Sequence, residues 1–246
     1  MSANLPRQPI EPTLPTNFRP HMVSFDVYGT LVNTPPANLH AFRAILSDAG
    51  RMDLDPGEFY SFWEHRNIVH YREPYRTYKD ICRLSLMEAY ERFGVTTGRG
   101  EAIERYFECF STMELYPDVL PTLDTLARTY RLALVSNIDD DLLDATPLGR
   151  EFDVICTAEK AHGYKPDGTL FRYLLKRSGL NAAQILHAGQ SQFTDMVGGK
   201  PLGLIVAWIN RRGLTLSPEV PPPDLILTGL EPLPRLLASV RPMQSS

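Results

Sequence analysis

The sequence is poor in cysteine, in long apolar runs and in excess charge of either sign. Its three cysteines form no Cys-x-x-Cys pair, which excludes a disulfide scaffold or zinc ribbon and predicts reduced core thiols. No apolar run approaches the roughly 20 residues that span a bilayer. Basic residues number 25 and acidic residues 29, and this balance argues against nucleic acid or an anionic membrane as a partner held by bulk charge.

The first 20 residues also lack the apolar segment of a secretory signal, so we predict a cytoplasmic protein. Their prolines predict an N-terminal arm, residues 1–20, that lies on the surface or is disordered. The remaining length and the 43% hydrophobic content are enough for a sizeable buried core.

Short apolar, β-prone runs separated by helical stretches predict a doubly wound, Rossmann-like parallel sheet. The predicted strands are 22–25, 132–136, 152–156, 185–188, 204–209 and, more weakly, 224–227. The predicted helices between them are 118–130, 139–146, 167–178 and 194–202.

Residues 35–114 interrupt this alternation, because they have helical periodicity and no convincing strand. A helical insertion directly after the first strand predicts a cap over the end of the sheet where open α/β folds bind ligands. We therefore predict a core formed by 21–34 and 115–246, with a cap formed by 35–114.

Four predicted strand-end loops carry polar residues suited to chemistry. Asp26 ends the first strand, Ser136-Asn137 ends the second, Lys165 precedes a helix start, and Asp195 follows the fourth strand. Each has an ordinary alternative explanation, such as capping a turn or a helix, solvation, or a favourable charge in a first helical turn. Their order along the chain is more specific than any one of them.

The series Asp, Ser-Asn, Lys, Asp resembles the four motifs of the haloacid dehalogenase-like hydrolase superfamily, and the insertion matches the position of its cap. The resemblance covers residues 22 to about 212. Most members are magnesium-dependent phosphatases with Asp-x-Asp in the first motif and Gly-Asp in the fourth. Here Tyr28 and Gln190 stand at those second acidic positions. We therefore predict no metal and no cofactor, since neutral Gln is a weak magnesium ligand.

The segment Asp-x-Tyr-Gly-Thr looks instead like the type II 2-haloacid dehalogenases. That resemblance implies that Asp26 attacks C2 of a short 2-halo acid and forms an ester, which water then hydrolyses. It also implies supporting roles. Lys165 would keep Asp26 ionised, Thr30 would position it, and Asp195 would orient Lys165 and help place or activate water. Ser136 would bind the substrate carboxylate, Asn137 would face the leaving group, and Tyr28, Trp63, Gln190 and Ser191 would complete the pocket.

One departure from this pattern puts the substrate in question. The resemblance places an Arg of the second cap helix against the halide, yet Glu64 stands there, directly after Trp63. A carboxylate would repel an anionic leaving group and attract a cationic one, unless Glu64 is solvated or pairs with Arg72 or Arg76. The same branch contains hydrolases that open azetidine-2-carboxylate, a strained ring with an amine leaving group. Two other functions stay open, a phosphatase and a non-catalytic binding protein. The resemblance also implies a homodimeric assembly.

Overall fold

The computed structural model describes residues 14–240 and contains a six-stranded parallel sheet with the strand order β5-β4-β1-β6-β7-β8. These strands are β1 (Met22–Phe25), β4 (Arg131–Ser136), β5 (Val154–Thr157), β6 (Ile185–Gly189), β7 (Ile205–Ile209) and β8 (Leu225–Leu227). Apolar side chains of β1, β4 and β6 are buried on both faces, because helices cover the two sides of the sheet. The predicted doubly wound fold is confirmed.

The helices around the sheet are α5 (Val119–Ala127), α6 (Asp140–Ala145), α7 (Ala158–Ala161), α8 (Thr169–Ser178), α9 (Val197–Gly199) and α10 (Leu233–Ala238). The predicted helical stretch over 194–202 is helical throughout but is not a regular α-helix. A π-helical turn, Gln192–Met196, comes first, and α9 is followed by a 3₁₀ turn, Lys200–Leu202. The wide π turn lets the Asp195 side chain reach back to the Ser191 N–H, and Pro201 disfavours regular helix beyond it.

The cap consists of α1 (Pro35–Asp48), α2 (Pro56–His70), α3 (Tyr78–Arg92) and α4 (Glu104–Glu108), with 3₁₀ turns before and after α4. Its centre is aromatic, with ring-to-ring contacts among Phe42, Phe59, Trp63 and Tyr106. The chain passes between core and cap at a two-stranded ribbon, β2 (Val32–Asn33) and β3 (Glu114–Leu115). The predicted cap boundaries, 35 and 114, fall at this ribbon.

The described part of the N-terminal arm packs against the core. Leu14 and Phe18 are buried, whereas residues 15–17 and Arg19 are exposed, so residues 14–20 lie along the surface with two apolar side chains packed into the core. Residues 1–13 lie outside the described residues. The three cysteines are free and buried, as expected of core thiols. Between residues 14 and 240, no helix has both the length and the apolar character to cross a bilayer.

Candidate active site

The carboxyl ends of the central strands face the cap, and a pocket of about 490 Å³ lies between them. Its core wall contains the predicted residues Asp26, Tyr28, Ser136, Asn137, Lys165, Gln190 and Ser191, and its cap wall contains Trp63 and Glu64. Thr30 and Asp195 are completely buried and support this wall from behind. The structure thus gathers every predicted site residue around one pocket.

Lys165 is the centre of the core wall. Its ammonium Nζ donates to Asp26 Oδ1 at 2.9 Å, to Asp195 Oδ1 at 2.7 Å and to the Val135 carbonyl at 2.9 Å. An ammonium has three donors, so each is used. The side chain is 1% exposed, which makes the two carboxylates necessary to compensate its buried charge.

The second oxygen of Asp26 is held through Thr30. The Thr30 hydroxyl donates to Asp26 Oδ2 at 2.8 Å and accepts from the Gln190 N–H at 3.0 Å. The carboxylate orientation is therefore set by two donors from different loops, and only a small part of Asp26 reaches the pocket.

The carboxyl groups of Asp26 and Asp195 have pKa values shifted in opposite directions. Burial raises the pKa of Asp26, against the opposing effect of the Lys165 ammonium. Burial alone would also raise the pKa of Asp195, but Lys165 and the hydrogen bond from His187 hold it well below its usual range. The pKa of Lys165 is raised because Asp195 and Asp26 outweigh its desolvation. Asp26 is thus the more basic and more accessible carboxylate.

Asp195 has little capacity to act as a base. Oδ1 accepts from Lys165 and from His187 Nε2 at 3.1 Å, and Oδ2 accepts from the Ser191 N–H at 2.9 Å. The close fit extends to the backbone, because a Cβ on Gly189 would lie 2.3 Å from the Asp195 carboxyl carbon. The geometry suits a residue that holds Lys165 more than one that activates water.

Asn137 and Tyr28 have polar groups committed to the scaffold. The Asn137 amide donates to the Lys165 carbonyl at 2.9 Å and accepts from the Lys165 N–H at 2.8 Å, leaving one amide hydrogen for a ligand. The Tyr28 hydroxyl lies 2.9 Å from Thr146 Oγ1, which itself donates to the Leu142 carbonyl. Tyr28 is therefore the donor in that bond, and burial raises its pKa above the ordinary value.

α2 contributes much of the cap wall. Tyr60, Glu64 and Asn67 line the pocket at helical spacing, and Tyr71 lines it directly after the end of α2. Glu64 is half-buried and accepts a 2.8 Å hydrogen bond from the Tyr60 hydroxyl. Within residues 14–240, no basic side chain lies at ion-pair distance from Glu64, and Arg76 instead pairs with Glu73. Trp63 is buried and donates its indole N–H to the Cys82 carbonyl.

Sequence reasoning missed two groups of residues near this pocket. Asn38 and Asn67 line it and are almost fully buried, and each has an amide oxygen without a hydrogen-bond partner among the described residues. His187 is completely buried, and its Nε2 lies 3.1 Å from Asp195 Oδ1. A single histidine within the apolar run of β6 was the available signal, because a buried imidazole needs polar partners.

The side chains at the strand ends do not suit magnesium, the ion that many members of this fold family use. The Lys165 ammonium already lies between Asp26 and Asp195, and Asp195 has both oxygens engaged. Gln190 offers a neutral oxygen that accepts from Arg212 at 3.3 Å. Across residues 14–240, no group of three or more acidic, histidine or cysteine side chains is arranged to hold a metal ion. Hard cations favour charged oxygens that are free to coordinate.

Residues 23–209 match the family model described as haloacid dehalogenase-like hydrolase. The chain belongs to this family. It is therefore a hydrolase by family.

The chain is similar to relatives of two activities. It is 25% identical to (S)-2-haloacid dehalogenase 4A of Burkholderia cepacia over 87% of this chain and 93% of that protein. It is 26% identical to phosphoglycolate phosphatase 1 of Pseudomonas aeruginosa over 87% and 78%, respectively. Among solved structures, it resembles L-2-haloacid dehalogenase from Xanthobacter autotrophicus with chloropropionic acid covalently bound. That match has a TM-score of 0.74 at 20% identity, over 89% of this chain and 98% of that one.

Proposed function

We propose that this enzyme hydrolyses a bond at C2 of a small carboxylic acid without a metal, through an ester on Asp26, and that its substrate is an (S)-2-halo acid. The observation that carries the proposal is the Lys165 ammonium bound between Asp26 and the buried Asp195 at the floor of the pocket. Such an arrangement offers one reactive carboxylate and no metal ligand set. The named dehalogenase relatives support the substrate class.

In the first step, an Asp26 oxygen attacks C2, and the carbon–halogen bond breaks as halide leaves with its electron pair. The nucleophile is desolvated and held by Thr30 and Lys165, so little reorganisation precedes attack. Ester formation removes one negative charge from the buried group. What remains is a Lys165–Asp195 pair of zero net charge.

In the second step, water adds to the Asp26 carboxyl carbon and the 2-hydroxy acid leaves. The developing negative charge on the ester oxygen falls near donors that already hold the carboxylate, Lys165 Nζ and the Thr30 hydroxyl. Asp26 regains its carboxylate with one oxygen from water, and one proton is released overall. Asp195 contributes by holding Lys165 in place.

A second substrate class is favoured by Glu64. A carboxylate on the cap wall with no basic side chain at ion-pair distance among residues 14–240 would attract a protonated amine as the leaving group, as in ring opening of L-azetidine-2-carboxylate. Attack of Asp26 on C2 then breaks the ring C–N bond, and hydrolysis of the ester releases one amino-hydroxy acid in place of a hydroxy acid and a halide. A phosphatase is less well supported, because Tyr28 has its proton committed to Thr146 and cannot replace the missing acid. Dimerisation and cytoplasmic location remain predictions.

The test is a single turnover in heavy-oxygen water with enzyme in excess over 2-chloropropionate, run with and without EDTA. We expect the label in Asp26 by peptide mass spectrometry, unlabelled hydroxy acid in the first turnover, and rates equal within about twofold with and without chelator. Azetidine-2-carboxylate and a phosphate ester are run in parallel. Label in the first-turnover product, or a strict magnesium requirement, would contradict the mechanism.

A further inference from the structure

His187 forms the next layer of hydrogen bonds behind Asp195. Its Nε2 lies 3.1 Å from Asp195 Oδ1, and its Nδ1 lies 3.0 Å from the Ser24 hydroxyl. All three side chains are completely buried, with no exposed surface. A polar chain therefore runs inward from the pocket, from Asp26 through Lys165, Asp195 and His187 to Ser24 on β1.

The hydrogen-bond partners fix which imidazole nitrogen carries the proton. A carboxylate oxygen only accepts, so Nε2 donates to Asp195, and in the neutral ring Nδ1 accepts from Ser24. The Phe171 ring meets the imidazole edge-on, with centroids 4.8 Å apart, and contributes packing but no hydrogen bond. The Asp195 carboxylate thus determines which nitrogen donates, and Ser24 binds the other nitrogen.

We infer that His187 is a positioning residue of this hydrolase: its Nε2–H holds the Asp195 carboxylate so that Asp195 directs the Lys165 ammonium at Asp26. Asp195 and Lys165 share one oxygen contact, and the rotation of the Asp195 carboxylate decides where that oxygen lies. Lys165 and His187 together saturate Asp195 Oδ1, while the Ser191 N–H holds Oδ2. Loss of the His187 donor would leave Oδ1 held by the Lys165 ammonium alone, the group that Asp195 is meant to direct.

His187 does not line the pocket, so it has no direct contact with a substrate. Its removal should consequently change kcat with little change in KM, because misdirection of a catalytic group by about 1 Å can cost 100-fold in rate. The kinetic test of this inference rests on the proposed ester mechanism. The tautomer of the imidazole can be measured whether or not that mechanism is correct.

The experiment compares three variants, with kcat expressed per active site titrated by the Asp26 ester burst. His187→Leu removes the donor and should lower kcat by roughly 10- to 100-fold with KM within about twofold. His187→Gln supplies an N–H near the former Nε2 and should recover kcat to within about fivefold of wild type. Phe171→Leu, a packing control that keeps the donor, should lower the Tm but keep kcat within about threefold.

Nitrogen-15 NMR of the wild-type histidines gives a second readout that needs no turnover. We expect the Nε2–H tautomer for His187 in the wild type and also in Ser24→Ala, because the Asp195 carboxylate still accepts from Nε2. An unchanged kcat in His187→Leu, equal losses in the Leu and Gln variants, or an equal loss in Phe171→Leu would overturn the inference. Absence of any Asp26 ester in wild type would instead refute the proposed function, while the tautomer would still test the hydrogen-bond chain.

Discussion

The core wall and the cap wall of the pocket are built on different principles. In the core wall, the charges of Asp26, Lys165 and Asp195 are compensated by one another at 2.7–2.9 Å and are almost completely buried. In the cap wall, Glu64 has a hydroxyl as its partner, and the amide oxygens of Asn38 and Asn67 have none among residues 14–240. The polar groups of the core wall are therefore fixed by contacts within the protein, whereas the cap wall has polar groups free to bind a ligand.

Removal of Lys165 should have the largest effect on the stability and activity of the core wall. Lys165→Met leaves two buried carboxylates facing each other, so we expect a loss of about 3–5 kcal/mol in the free energy of unfolding at pH 7 and a fall in kcat on the order of 1,000-fold. Lys200→Met is the control, because Lys200 pairs with Asp224 nearer the surface and should cost about 1 kcal/mol or less. Urea unfolding and initial rates measure both, and equal losses would refute the central role of Lys165.

An added methyl group compares the packing around Asp195, behind the core wall, with the packing at a cap position away from the pocket. Gly189→Ala places a Cβ 2.3 Å from the Asp195 carboxyl carbon, so Asp195 must move and kcat should fall by roughly 100-fold. Gly100→Ala in the cap meets its nearest neighbour, Met87, at 3.8 Å and should leave kcat unchanged within about twofold. A fully active Gly189→Ala enzyme would show that the position of Asp195 is not critical.

The pH profile tests the electrostatics of the core wall. Asp26 must be ionised to attack, and burial raises its pKa, so activity is present above that raised pKa and is lost as the pH falls through it. We expect kcat/KM to decline about tenfold per pH unit below a midpoint that lies above the ordinary aspartate value of about 3.9. Lys165 has a raised pKa, so no loss is expected from it below pH about 10. A midpoint at or below 3.9 would contradict the role of burial.

The smallest expected effect sharpens the description of the cap wall. Azetidine-2-carboxylate and oxetane-2-carboxylate have rings of similar size, but only the first has a protonated amine as its leaving group. Glu64→Gln should lower kcat/KM for the azetidine by roughly tenfold, about 1.4 kcal/mol, and change that for the oxetane by less than about threefold.

Glu58→Gln, an exposed change on the same helix, serves as the control for Glu64→Gln. If both rings respond equally to Glu64→Gln, charge recognition by Glu64 is wrong. A gain in 2-chloropropionate turnover on the same change would favour the halo-acid substrate, since it removes a like charge from the path of the halide.

The sequence was most informative about the polar residues that follow the predicted strands. Buried apolar runs ending at Asp26 and Ser136, together with Lys165 before a predicted helix start, predicted both the sheet and the core wall, because the carboxyl ends of parallel strands meet at one edge. It was less informative about Glu64, whose place in the pocket depends on how α2 packs against α1 and α3. His187 and the burial of Leu14 and Phe18 were missed, since their partners are remote in sequence and become visible only in the tertiary structure.

The ribbon formed by β2 and β3 also bears on how this architecture can change through evolution. The two segments that connect core and cap are hydrogen-bonded to each other next to Thr30, where the Tyr116 N–H donates to the Leu31 carbonyl. Arg211 also donates there, to the Thr30 carbonyl and to Asp118. Mutations that reshape α1–α4 therefore leave the register of β1 against β4 and β6 untouched. Selection can act on substrate choice through one continuous stretch of coding sequence, while the bond-breaking residues are inherited from the stretches on either side of it.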